Sequence, residues 1–97
     1  MSEDGEENKA VATVEVCNKL GLHIRPSRHL SSLAKSYDAT VSVRNNERVA
    51  LADSQLDLLM LLASKGAQLE ISATGPQAQE AVDSIVKLVQ DRFGEKD

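Results

Sequence analysis

The hydrophobic period of this chain switches repeatedly between two and the helical value. The order of those switches constrains its fold more than any other feature. Ala12, Val14 and Val16 alternate with Thr13, Glu15 and Cys17, the pattern of a half-buried strand, and Asn18 to Gly21 closes it as a loop. From Pro26 the spacing becomes helical, with Leu30, Leu33, Ala34 and Tyr37 on one stripe. Residues 40–51 alternate on both sides of the turn pair Asn45-Asn46 and read as a hairpin. Ser54 starts a second helix, with Ser54-x-x-Asp57 similar to a capping box in which aspartate replaces the usual Glu or Gln. Lys65-Gly66 ends that helix with a C-terminal glycine. Gln68 to Ala73 alternates again, and Thr74-Gly75-Pro76 opens a last helix with the stripe Ala78, Ala81, Val82, Ile85, Val89 and Phe93.

Strand, helix, strand, strand, helix, strand, helix predicts an α+β fold: a two-layer open-faced sandwich, with a four-stranded antiparallel sheet covered on one face by three helices. Thr13, Glu15, Ser42, Glu70 and Ser72 are expected on the wet face, and a sheet with one solvated face is characteristically antiparallel. Residues 1–10 read as an acidic, disordered tail and 11–97 as one domain. The run Leu58 to Ala63 is apolar all round, so part of it is expected in the core and part exposed or at an interface.

Composition removes several classes of function. A net charge of −4 argues against broad phosphate-backbone binding, and two aromatics leave no platform for stacking bases, so nucleic acid is not an expected partner. The single Cys17 forms no internal disulfide, which points to a reducing cytoplasm. No apolar run reaches the length of a membrane span, and the polar start is not a signal peptide. His23 and His29 are not at the i, i+4 spacing that holds a metal on a helix, and neither metal nor cofactor is expected.

The chemistry concentrates in Gly21-Leu22-His23-Ile24-Arg25-Pro26. One reading is a loop histidine that caps or packs at a helix start. The other is a phosphoryl carrier. A histidine side chain is a competent nucleophile near neutrality, with an unperturbed pKa of about 6.5. Free N–H groups and the helix dipole at a first turn favour the negative charge that a phosphoryl group brings. Arg25 supplies a charge-assisted contact, Pro26 gives up no hydrogen bond in the first turn, and Gly21 lets the backbone turn sharply. Gly21, Pro26 and Ser27 are the expected surroundings of the phosphoryl group.

These residues resemble the phosphorylation signature Gly-Leu-His-x-Arg-Pro of the HPr family, the histidine-containing phosphocarriers of the bacterial phosphoenolpyruvate-dependent phosphotransferase system. The resemblance runs from Val11 to Phe93. Asn18 to His23, Leu58 to Gly66 and Ala73 to Gln77 look most like the nitrogen-related branch, NPr, in which the phosphoryl group serves regulation. The resemblance implies that His23 accepts phosphate on Nδ1 from phosphorylated enzyme I, and passes it to an enzyme IIA-type protein. It implies that Arg25 supports the group, and that the chain is a relay rather than a turnover enzyme; a monomer is expected. A sugar-uptake HPr and a phosphate-free regulator on the same fold are the alternatives. Ser27 and Arg28 depart from the common pattern after the motif proline. Ser54 falls where many members carry a regulatory serine; its plainer reading is an N-cap, and Asp53 and Asp57 would repel an added phosphate. Arg28, Leu58, Met60 and Leu61 are the expected docking residues.

Overall fold

Every alternating stretch of the sequence forms a strand, and the two long amphipathic stretches form helices. The computed structural model describes residues 8–96. Residues 1–7, most of the acidic segment, and Asp97 lie outside the described residues. The order is β1 (Lys9–Glu15), α1 (Ile24–Lys35), β2 (Thr40–Asn45), β3 (Arg48–Leu51), α2 (Gln55–Leu59), β4 (Gln68–Thr74) and α3 (Ala78–Gln90), followed by a single turn at Arg92–Gly94. The strands lie in the order β1-β4-β2-β3, every neighbouring pair antiparallel.

Register follows from alternation, because a one-residue slip would turn each apolar set toward water. Val14 stands opposite Leu69, Ala12 opposite Ile71, and Ile71 in turn opposite Val43, all toward the helices. The intervening residues Thr13, Glu70 and Arg44 form a row on the open face, where Arg44 donates to Glu70 at 2.8 Å. Leu30 and Ala34 of α1, and Ala78, Ala81, Val82, Ile85 and Val89 of α3, are buried against the inner face. Phe93 lies beyond α3 yet is 1% exposed, closing the core with a ring whose burial contributes about 1.5–3 kcal/mol.

Three boundaries differ from the sequence reading. Lys9 and Ala10, assigned to the tail, belong to β1 and pair with Thr74 and Ala73, so the alternation begins inside the charged segment. Asn45 ends β2 opposite Arg48, and the hairpin turns on Asn46 and Glu47, with Asn46 at φ 56, a conformation asparagine tolerates. The third difference is α2. It runs for five residues and does not continue to Lys65. Leu62 turns left-handed at φ 54, Asn45 Nδ2 donates to the Leu61 carbonyl at 2.9 Å, and Leu22 N–H donates to Ala63 at 2.9 Å. Asn45 thus takes the Leu61 carbonyl that Lys65 N–H would have used in a longer helix, and the left-handed turn at Leu62 breaks the helical path.

Candidate functional site

The loop between β1 and α1 is locked from below. Gly21 sits at φ +70, and a β-carbon there would lie 2.8 Å from Ser64 Cα and inside the shell of the Ala63 carbonyl oxygen. This close approach lets Leu22 donate to Ala63 and bury its side chain. His23 follows as the N-cap residue of α1, extended at φ −90 and ψ −162. Its carbonyl accepts from Ser27 N–H at 2.9 Å, the first helical bond, and its own N–H donates to Gly21 at 3.0 Å.

The free donors lie just past His23. The N–H groups of Ile24 and Arg25 make no hydrogen bond among the described residues, and Pro26 has none to offer. The expected surroundings are corrected accordingly. Gly21 N–H is committed to Asn18 O, Ser27 N–H to His23 O, and Ser27 Oγ donates to the Leu22 carbonyl at 3.4 Å. Pro26 and Ser27 are buried on the inner side of the first turn of α1. Gly21, Pro26 and Ser27 therefore shape the loop, and the donors available to an anion are the amides of Ile24 and Arg25.

The imidazole of His23 is one-third exposed. Its Nε2 lies 2.8 Å from Glu95 Oε2, while Nδ1 makes no hydrogen bond among the described residues. Asn18, fully buried, donates from Nδ2 both to Glu95 Oε1 at 3.0 Å and to Gly21 O at 2.8 Å. Desolvation pushes the Glu95 carboxyl up, but its hydrogen bonds to Asn18 and His23 and the charges of His23 and Arg25 together hold it below the usual carboxylate range. Arg25 is exposed and, with Lys19, Leu20, Gly94, Glu95 and Lys96, lines an open depression of about 550 Å³. Three cations around one carboxylate favour an anion there.

The sequence reading did not single out Glu95. The signal was Phe93: an apolar residue in register with the α3 stripe keeps the chain docked, and Glu95 follows two residues later.

The remaining candidates separate by burial. Leu58 and Leu61, expected as docking residues, are 0% and 1% exposed and belong to the core, because the short α2 and the turn after it point them inward. Met60 is 59% exposed, joined by Leu56 and Leu62. Arg28 is exposed on α1. Gln55 Nε2 donates to Ile24 O at 3.1 Å and ties the start of α2 to the start of α1. Ser54 Oγ accepts from Asp57 N–H at 3.2 Å, an N-cap; the box is one-sided, because Ser54 N–H goes to Leu51 O. Among the described residues no helix is long and apolar enough to cross a membrane.

Residues 10–91 match the family model described as the PTS HPr component phosphorylation site. The chain is 46% identical to the phosphocarrier protein NPr of Escherichia coli K12 over 84 residues, 86% of this chain and 93% of that one. It is 49% identical to NPr of Klebsiella oxytoca over the same shares. Among solved structures, HPr-C-His from Thermoanaerobacter tengcongensis superposes with a TM-score of 0.85 at 30% identity, covering 90% of this chain and 98% of that one.

Proposed function

Because this chain belongs to the PTS HPr family and is an HPr-type phosphocarrier close to NPr, we propose that His23 is its phosphoryl acceptor, on Nδ1. The observation that carries this reading is the pairing of an unengaged Nδ1 with the free amides of Ile24 and Arg25 at the start of a twelve-residue helix. A phosphoryl group on Nδ1 meets unpaired N–H donors, the positive end of the helix dipole and the Arg25 guanidinium. The two amides and the imidazole already stand in place, so positioning and electrostatics carry the catalysis.

The donor is phosphorylated enzyme I and the acceptor an enzyme IIA-type protein of the nitrogen-related system. The names of the NPr relatives at 46% and 49% identity favour that branch over sugar uptake. Both partners must reach one imidazole, so both dock on the surface around it. That surface carries the exposed Ile24, Leu56, Met60 and Leu62, with Arg28 at its edge. Such an apolar centre with a polar rim suits a brief encounter.

The test is incubation with enzyme I, phosphoenolpyruvate and Mg²⁺, followed by intact-mass measurement. One acid-labile phosphate is expected, absent from His23→Ala and retained in His29→Ala. Label surviving in His23→Ala refutes the assignment. Arg25→Ala should slow transfer at least about tenfold, roughly 1.4 kcal/mol in the barrier, with an unchanged melting temperature, since it is an exposed side chain. Running the assay with nitrogen-type and sugar-type enzyme I decides the branch.

A further inference from the structure

We propose that Glu95 is a positioning residue for His23: its carboxylate accepts the Nε2 proton and so leaves the lone pair on Nδ1. The inference rests on the phosphocarrier reading of His23 given above. A carboxylate only accepts hydrogen bonds, so the 2.8 Å contact requires the proton on Nε2. The opposite tautomer would set two acceptors against each other and cap the nucleophilic nitrogen with hydrogen.

The carboxylate is itself held. Asn18 is fully buried and both its hydrogen bonds come from Nδ2, one to Glu95 Oε1 and one to Gly21 O. Those two acceptors fix the amide's orientation and leave Asn18 Oδ1 buried without a partner. The backbone that delivers Glu95 is also unusual. Arg92 and Phe93 both adopt left-handed φ, 56 and 55, where bulky residues are rare. That turn buries Phe93 and swings Glu95 back across 72 residues of sequence to the ring. Glu95 lies beyond residues 10–91, the span that the family model matches.

In the transfer step the Nδ1 lone pair forms the new N–P bond, and the bond from phosphorus to the donor side chain breaks, its electron pair leaving with the donor. The Nε2 proton stays on the ring. The ring gains positive charge as the N–P bond forms, and Glu95 stands at the nitrogen that shares it, a fixed countercharge stronger in the transition state than in the ground state.

The experiment uses the full chain and its Glu95→Gln and Glu95→Asp variants. Imidazole ¹⁵N chemical shifts report which nitrogen bears the proton, and transfer from phosphorylated enzyme I reports the chemistry. The wild type should show a protonated Nε2 and a bare Nδ1. In Glu95→Gln the two shifts should converge, since an amide can donate as well as accept, and transfer should fall about tenfold, the scale on which losing a ring's orienting partner is felt elsewhere. Glu95→Asp should recover part of both, which a loss of folding in Glu95→Gln could not explain. Unchanged shifts, or altered shifts with an unchanged rate, overturn the proposal while a labelled wild type keeps the phosphocarrier reading intact. A wild type that takes no phosphate overturns that reading, and this inference falls with it.

Discussion

Replacing Gly21 with alanine tests how the site is built from below. Two costs arise at once. The residue sits at φ +70, and the left-handed region costs an L-residue about 1–2 kcal/mol. The new methyl group also meets backbone, with Ser64 Cα at 2.8 Å and the Ala63 carbonyl closer still. Neither atom is the free end of a side chain, and Ala63 O is already engaged by Leu22 N–H. Forcing a methyl group into such a place costs about 1–3 kcal/mol. The stiffer unfolded chain offsets about 0.4–1 kcal/mol, so the net loss should be roughly 2–4 kcal/mol. For a domain of this size that lowers the melting temperature by about 10–30 °C. Gly66→Ala separates the two costs: Gly66 sits at φ +94, but nothing lies within 4 Å of its would-be β-carbon. With the same unfolded-chain offset it should lose only about 0.5–1.5 kcal/mol. Urea unfolding of both variants, followed by circular dichroism under one set of conditions, gives the comparison. A Gly21→Ala loss no larger than that of Gly66→Ala would refute the argument that the loop is set by its contact with Ala63.

Three further outcomes are expected. Ser54→Ala should cost about 1 kcal/mol in urea unfolding, because it removes the acceptor of Asp57 N–H, whereas Ser54→Asp keeps a capping oxygen and should hold. Met60→Glu should fold normally and weaken enzyme I in a chemical-shift titration more than tenfold, whereas Leu61→Glu, 1% exposed, should fail to fold stably because the charge would be buried unpaired. The Glu95 carboxyl titrates lower in the folded chain than in the unfolded one. Its stabilisation is therefore present above the unfolded carboxyl's value and is lost as the pH falls through the lower folded value, so the gap between thermal melts of wild type and Glu95→Gln at pH 7 should close as the pH falls through the carboxylate range.

The order of elements and the facing of each strand were legible in the chain because alternation separates the two faces: Thr13, Glu15, Ser42, Glu70 and Ser72 stand on the open face as their spacing requires. The α3 stripe from Ala78 to Phe93 is buried throughout for the same reason. The length of α2 was not legible, because an all-apolar run carries no period. What ends that helix is Asn45 and Leu22, residues far away in sequence whose bonds to Leu61 and Ala63 cannot be read from the run itself. The geometry around His23 divides likewise. The helix start and the arginine are local and could be read. The commitment of Ser27's donors depends on which side of α1 faces the core. The carboxylate at Nε2 depends on a left-handed turn at two residues, Arg92 and Phe93, whose types do not favour it.

The antiparallel run of β1 gives the domain a near end and a far end. Lys9 opens β1 beside Thr74, and the strand then travels seven residues, about 20 Å, before the chain loops to His23. Glu95 leaves the domain touching that histidine. A module fused at Lys9 would be attached at the end of β1 far from the imidazole. A module fused at Lys96 would start beside Glu95, at the rim of the imidazole. A reporter or a second module is therefore accommodated on one side only, and a domain of this shape embedded in a larger assembly would present its histidine outward from its upstream neighbour.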